Sequence, residues 1–365
     1  MENKTAYVQS IFDTGGLVPY GTYPVGPLKM RSRRIVRLAP GVRLTALDVL
    51  FPERDDCLIS FDDVNDSKLI AVNAEIVGQL MNPLSGEWRH LLMFRAATRC
   101  GVVGGRWSNG WGDGCWIGPS WDARKQPCSL ISVDGSSFIS TYRNGISIVS
   151  ALDVLISRCK VWGPEGTNPQ AGIDIEAAHP SNVLHNIRVD NCRVESPMGA
   201  GLMVAAKFLN ASSKGMNVSV QNTEVVKART HAIQINAAGE ASPAGRVTFE
   251  TLTMKETIGC GVRVHTPAKP NFDVYFTGSN SWSGVTDVPV KVTGGVPFNP
   301  VNFTGGCQVR MKHNEETPYI PISSAVMVTR PQETMPMTAA VDEDLAETVH
   351  ARMPADVLSA WDGNQ

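Results

Sequence analysis

Residues 171–176, Ala-Gly-Ile-Asp-Ile-Glu, have the alternation of a β-strand that is buried on one side only. Side chains of an extended strand alternate between two faces, so Ile173 and Ile175 share one face while Asp174 and Glu176 share the other. At a rise of roughly 3.3 Å per residue, the two acidic side chains start about 6.6 Å apart. The stretch therefore predicts a strand that holds two neighbouring carboxylates on its outer face.

The same order of a small, an apolar, a variable and an apolar residue recurs along the chain. Copies of this first strand series begin at Gly114, Gly145, Gly172, Gly201, Ala232, Gly261 and Pro289. Successive starting positions differ by 31, 27, 29, 31, 29 and 28 residues. A near-constant period in this range indicates a solenoid, in which each unit buries its apolar face against its neighbours.

A second strand series alternates with the first. Its apolar pairs, again two residues apart, are Val154/Ile156, Ile187/Val189, Val218/Val220, Val247/Phe249 and Val274/Phe276. Alternation with a period of two indicates strands, and residues 100–300 lack a long apolar stripe with the helical period of 3.6. The sequence thus predicts an all-β, single-stranded parallel β-helix with at least two strands in each coil.

The repeat also suggests how the chain is divided. We expect a short N-terminal capping helix in residues 1–12 and the β-helix in residues 13–307. Residues 308–365 lose the repeat, and we expect an irregular tail with short amphipathic helices there.

Composition and charge exclude several classes of function. A net charge of −2 favours neither nucleic acid nor an anionic membrane as a partner, and no stretch is apolar enough to span a bilayer. Met1–Lys4 is not followed by the apolar core of a secretory signal, which predicts synthesis in the cytoplasm. The eight cysteines form no CxxC pattern, so neither a metal nor another cofactor is predicted.

Several segments resemble a known family. Residues 12–23, 26–32 and 38–44 resemble the entry of pectin-lyase-like right-handed parallel β-helix proteins, which include polygalacturonase-type glycoside hydrolases and many phage tailspikes. Residues 86–88, 111–118, 143–148 and 168–176 resemble a set found in bacterial and phage β-helix proteins that are mostly presumed to act on polysaccharides. The resemblance implies a right-handed helix and a glycan as ligand.

The chain also departs from the polygalacturonase pattern. It has the single Asp113 within Gly-Asp-Gly where an adjacent pair of aspartates would be expected, and it lacks both Gly-His-Gly and Arg-Ile-Lys. The resemblance therefore does not imply pectin cleavage by that route.

Stacked coils place equivalent outward-facing residues in columns with a spacing of about 4.8 Å. One predicted column reads Trp116, Ser147, Asp174, Met203, Gln234, Arg263 and Lys291, and a parallel one reads Gly118, Val149, Glu176, Ala205, Asn236, His265 and Thr293. Together they would form a long polar strip with carboxylates near its middle. Such a strip suits an extended polysaccharide or oligosaccharide.

Glycoside hydrolysis needs one carboxylic acid and a second carboxylate that acts as base or nucleophile. The predicted catalytic residues are Asp174, Glu176 and Asp113, although Asp113 fits a turn equally well. The predicted substrate-binding residues are Glu87, Trp88, Trp116, Arg143, Ser147, Gln234, Arg263 and His265. Arg143 fits an ion pair between coils as well as it fits a site for an acidic sugar.

Three functions compete at this point. The first is a polysaccharide-degrading glycoside hydrolase, and the second is a lyase or epimerase acting on uronates, with Arg143 or a lysine as the base. The third is a non-catalytic phage tail or adhesion protein that binds glycan. A virion-associated chain would be expected to form a homotrimer.

Overall fold

Three series of short parallel strands wind into a right-handed solenoid, which confirms the predicted fold class. The computed structural model describes residues 2–79, 86–237, 242–266, 271–287 and 290–293. It also describes the short segments 301–303, 308–311, 320–321, 326–329 and 334–336.

The first strand series forms its own sheet. Its parallel members are Leu28–Lys29, Ile59–Asp62, Leu92–Arg95, Cys115–Gly118, Ile146–Ile148, Ile173–Glu176, Leu202–Ala205, Ile233–Asn236, Val262–His265, Val290–Thr293 and Val326–Thr329. Thr334–Pro336 adds to the last of these in the antiparallel direction.

The second strand series runs along a continuous face of the larger sheet. Its members are Gly16–Val18, Ile35–Leu38, Asn65–Val77, Thr98–Gly110, Cys128–Asp134, Ala151–Ser157, Leu184–Asp190, Met216–Gln221, Gly245–Glu250, Phe272–Thr277 and Val301–Phe303.

A third series, which the periodicity did not separate, follows the second in each coil. It comprises Thr22–Val25, Arg43–Ala46, Ser137–Thr141, Lys160–Trp162, Arg193–Glu195, Glu224–Val226, Thr253–Lys255, Ser281–Val285 and Gln308–Met311, and Ile320–Pro321 pairs antiparallel with the last. The 13-residue strands Asn65–Val77 and Thr98–Gly110 span both series.

The predicted register is confirmed. Ser147 pairs with both Trp116 and Asp174, and the column continues through Met203 and Gln234 to Arg263 and Lys291. Glu176 lies beside Ala205 in the parallel column. The inward residues of all three series form one continuous apolar core along the solenoid.

The short corner between the second and third series contains one residue with left-handed backbone geometry. Successive coils place Arg158, Asn191, Asn222, Thr251 and Gly278 there, with φ between 48° and 68°. One left-handed residue turns the chain sharply, and Asn and Gly adopt this geometry at the lowest cost.

Helix α1, Thr5–Thr14, covers the N-terminal coil, with Val8 and Phe12 buried. It ends two residues beyond the predicted cap. The parallel strands Gln308–Met311 and Val326–Thr329 lie past residue 307, and the short helices predicted in the tail lie outside the described residues. Among the described residues, no helix is long and apolar enough to cross a bilayer.

Candidate functional site

A cleft of about 630 Å³ lies over the first strand series, around Asp174 and Glu176. Strands of three successive coils supply Trp116, Ser147 and Asp174 to it. Glu176 lines it from the same strand as Asp174. The other lining residues come mainly from the connecting loops: Glu87, Trp88, His90, Pro119, Trp121, Lys125, Arg143, Val149, Ala178, His179, Asn182 and Phe208.

Asp174 lines the cleft although its side chain is almost wholly enclosed, at 2% exposure. Its Oδ2 accepts a hydrogen bond of 3.0 Å from Asn144 Nδ2. Its Oδ1 is buried and has no hydrogen-bond partner in the structure. An unsatisfied buried oxygen is costly, so its presence beside a cleft makes Asp174 a candidate functional residue.

The pKa of Asp174 is raised well above its ordinary value of 3.8. Burial is the main cause, and the neighbouring negative charge of Glu176 adds to it. Arg143 and the hydrogen bond from Asn144 oppose these effects without cancelling them. Asp174 therefore keeps its proton at pH values where an exposed aspartate is ionised.

The raised pKa means that Asp174 lowers the stability of the folded protein at neutral pH. Below about pH 4 the carboxyl is protonated in both the folded and the unfolded state, and the full stability is present. The free energy of unfolding then falls as the pH rises through the folded pKa, because the folded state holds the proton that the unfolded state releases. We expect Asp174→Asn to unfold at a higher temperature than wild type near neutral pH, with a difference that shrinks towards pH 4. Thermal unfolding across this range would test it, and a variant less stable than wild type at neutral pH would contradict it.

Asn144 connects the residues beneath the cleft. It is fully buried, and its Nδ2 donates to Ser147 Oγ as well as to Asp174 Oδ2, at 3.0 Å each. Its Oδ1 accepts the backbone N–H of Ala171 at 2.8 Å. Its own backbone N–H donates to Asp113 Oδ1 at 3.0 Å.

Asp113 is fully buried and does not line the cleft. Its Oδ2 lies 3.1 Å from Arg143 Nη1, an ion pair between coils of the kind that the sequence allowed. Burial, the largest influence, opposes the charge of Arg143, but the neighbouring acidic groups, Asp113 first, raise its pKa above the ordinary value. Arg143 is thus a fixed cation in the wall of the cleft.

Glu176 reaches the cleft from the next outward position of the same strand as Asp174. Its side chain is 19% exposed, and its Oε1 lies 3.1 Å from Lys207 Nζ. The two carboxyl groups therefore differ in environment: that of Asp174 is enclosed with one oxygen unpartnered, and that of Glu176 is partly exposed and paired with Lys207.

Aromatic rings form one end of the cleft. Trp116 is only 9% exposed, because its ring stacks on His90 at 5.7 Å and meets the edge of Trp121 at 6.2 Å. Trp88 contacts Trp121 edge to face at 6.4 Å. Alternation predicted correctly that Trp116 points away from the core but did not show that the loop bearing Trp121 covers it.

His90 is buried and neutral. Its Nδ1 accepts the backbone N–H of Asp113 at 3.1 Å, so in the neutral ring the proton is on Nε2. Burial lowers its pKa from 6.5 to about 4, more strongly than Asp113 raises it.

The depressed pKa of His90 gives a second pH dependence, opposite in sign to that of Asp174. The contribution of neutral His90 to the free energy of unfolding is fully present above about pH 6.5 and is lost as the pH falls through about 4. The reason is that the imidazole takes up a proton at a higher pH in the unfolded state than in the folded state. We expect His90→Asn, whose amide can still accept the Asp113 N–H, to lose less stability between pH 7 and 4 than wild type. Chemical denaturation at several pH values measures this, and parallel curves for the two proteins would contradict it.

The cleft brings together most of the predicted site residues: Asp174, Glu176, Glu87, Trp88, Trp116, Arg143 and Ser147. Gln234, Arg263 and His265 instead continue the strip beyond it. Arg263 Nη1 lies 3.4 Å from His231 Nε2, and His265 Nδ1 lies 3.0 Å from Thr293 Oγ1. The catalytic role of Asp113 stays a prediction.

The sequence did not predict His90 or Asn144 as residues of the site. Asn144 precedes the strand start at Gly145 and could have been flagged as a buried polar residue, but its partners lie 27 to 31 residues away in the sequence. His90 has no comparable signal in the sequence. Among the described residues, no group of three or more His, Cys, Asp and Glu side chains could hold a metal ion.

No model of a known protein family matches the sequence, and no curated protein sequence does. Solved structures do match. A tailspike protein of Escherichia coli bacteriophage HK620, determined in complex with a pentasaccharide, aligns with a TM-score of 0.59 and 12% identity over 90% of this chain. This chain spans 61% of the tailspike's length.

Two further structures align over 94% of this chain. A polygalacturonase from Erwinia carotovora ssp. carotovora gives a TM-score of 0.58 at 13% identity, with 94% of its own chain covered. The A-module of the mannuronan C-5 epimerase AlgE4 from Azotobacter vinelandii gives 0.55 at 12%, with 96% covered. At these identities the likeness establishes the fold alone: the chain is a right-handed parallel β-helix.

Proposed function

We propose that the protein is a polysaccharide-degrading glycoside hydrolase whose active site is the cleft around Asp174 and Glu176. The observation that carries the proposal is the enclosed carboxyl of Asp174, which lines the cleft with one oxygen unpartnered. Its raised pKa supports the same role, since a general acid must hold its proton at the working pH.

In the proposed reaction Asp174 gives its proton to the glycosidic oxygen as the bond from that oxygen to the anomeric carbon breaks. Glu176 takes a proton from a water molecule, whose oxygen attacks the anomeric carbon. The two side chains start about 6.6 Å apart along the strand. That is closer to the roughly 6.5–9.5 Å between carboxyls in inverting enzymes than to the shorter separation in retaining ones.

The wall of the cleft suits a sugar chain. Trp88 and Trp121, which are half-buried, offer apolar surface and N–H groups that suit a pyranose ring. The fixed cation of Arg143 beside Glu87 and Ser147 adds polar groups for hydroxyls. Asp113 then acts by holding Arg143 in place.

The resemblance to polysaccharide-active β-helix proteins and the structural neighbours agree with a glycan ligand. The polygalacturonase and the tailspike with its bound pentasaccharide share this fold. The lyase or epimerase alternative loses one candidate base, because the ion pair with Asp113 holds Arg143 as a cation.

The test is a panel of neutral and acidic bacterial polysaccharides incubated with the wild type, Asp174→Asn and Glu176→Gln. Release of reducing ends without ultraviolet absorbance from unsaturated products, lost in both variants, is expected. Asp273→Asn, at an exposed position, and Glu75→Gln, in an ion pair with Arg43 elsewhere on the solenoid, serve as matched controls that should retain activity. Absorbance would indicate a lyase, and binding without cleavage an adhesion protein.

A further inference from the structure

The two oxygens of the Asp174 carboxyl group differ in their surroundings, and Asn144 causes the difference. Asp174 Oδ2 receives an N–H from Asn144, whereas Oδ1 is buried without any partner. Which oxygen carries the acid proton follows from which way the amide of Asn144 is turned.

The orientation of that amide is determined by the backbone. The N–H of Ala171 can only donate, and it points at Asn144 Oδ1 over 2.8 Å. A flipped amide would place its NH₂ group against this N–H and its oxygen against Asp174 Oδ2. The side-chain nitrogen therefore faces Asp174, and its two hydrogens are used by Asp174 Oδ2 and Ser147 Oγ.

An oxygen that accepts a hydrogen bond from Asn144 has no room for a proton of its own in the same direction. With the proton on Oδ1, Oδ2 is the carbonyl oxygen and accepts the Asn144 N–H as the stronger acceptor, whereas a proton on Oδ2 would leave Asn144 donating to a weaker hydroxyl oxygen. We propose that Asn144 is a positioning residue that keeps the acid proton of Asp174 on Oδ1 and holds the carboxyl group in one orientation.

This inference rests on the proposed role of Asp174 as the general acid and specifies which of its two oxygens carries the proton. Because Oδ1 is enclosed in the structure, delivery of its proton to a glycosidic oxygen requires the carboxyl group to turn towards the cleft when a substrate binds. The backbone N–H of Asn144 also donates to Asp113, so one buried residue contacts two of the three predicted catalytic carboxylates.

The direct test is neutron diffraction from a deuterium-exchanged crystal of the wild-type protein at neutral pH. Deuterium on Asp174 Oδ1 is the expected result, and deuterium on Oδ2 would overturn the proposal. So would an amide of Asn144 with its oxygen towards Asp174.

A second test uses carbon-13 NMR titration of Asp174, assigned by difference from Asp174→Asn. In Asn144→Asp the donor is lost and a carboxyl is added, so the pKa of Asp174 should rise by about one pH unit or more. An unchanged pKa in the folded variant would overturn the proposal. If Asn144→Asp does not fold, the neutron measurement decides.

Asn280 offers a matched control in a later coil. It is also fully buried, its Oδ1 accepts the Leu252 N–H at 2.8 Å, and its Nδ2 donates to the Thr277 carbonyl at 2.7 Å. Asn280→Asp should lower stability while leaving the titration of Asp174 unchanged. Neither readout needs a substrate, so an inactive protein with deuterium on Oδ1 would contradict the hydrolase and retain the role of Asn144.

Discussion

Asp174→Asn should lower the turnover number on the cleaved polysaccharide by roughly 10²–10⁴-fold, the usual contribution of a general acid. The amide has the size of the acid and can still accept the hydrogen bond from Asn144, so binding should change little. Initial rates over a range of polysaccharide concentrations would separate the turnover number from KM.

An activated aryl glycoside of the same sugar is a matched control for this variant. Its leaving group departs without protonation, so Asp174→Asn should retain much of the wild-type rate on it, while Glu176→Gln should lose activity on both substrates. Equal loss on both substrates in Asp174→Asn, or no loss on the polysaccharide, would contradict the assignment of Asp174 as the acid.

Gly172→Ala should lower the free energy of unfolding by roughly 3 kcal/mol or more, the upper range for overpacking. A Cβ atom at this position would lie 2.1 Å from Val194 Cγ1 and 2.6 Å from the carbonyl oxygen of Gly201. The carbonyl belongs to the backbone of the next coil, so it cannot move aside without disturbing the stacking. Gly145 has the same surroundings, with contacts of 2.2 and 2.6 Å.

Gly86→Ala is the matched control for stability, because a Cβ atom there meets nothing within 4 Å. Chemical denaturation of both variants beside wild type measures the difference. A Gly172→Ala protein within about 0.5 kcal/mol of wild type would contradict the close packing at this start of a strand.

The fold could be predicted largely from the sequence because each coil of a solenoid repeats the same pattern of apolar residues, so the repeat length shows which strands stack on one another. Strands such as Ile173–Glu176 place two apolar residues inward. The repeat predicted correctly which residues of the neighbouring strands pair with them. The third series escaped detection because several of its strands, such as Lys160–Trp162, Arg193–Glu195 and Thr253–Lys255, have three residues and only one buried side chain. One residue gives no alternation to recognise.

The site could be predicted only in part, for a related reason. Alternation shows which side of a strand faces away from the core, and it identified Asp174 and Glu176. It does not show what covers that side, so the burial of Ser147 and Trp116 could not be foreseen. The contacts of Asn144 join residues one coil apart and depend on the turn geometry before each strand.

The most direct test of a glycan-cleaving cleft at Asp174 is a crystal structure of Asp174→Asn with an oligosaccharide of the cleaved polymer. We expect a sugar chain across Trp88, Trp121 and Glu176, with a glycosidic oxygen about 3 Å from the side chain at position 174. A chain bound along another face, or one with no glycosidic oxygen within hydrogen-bond reach of position 174, would contradict the proposed function.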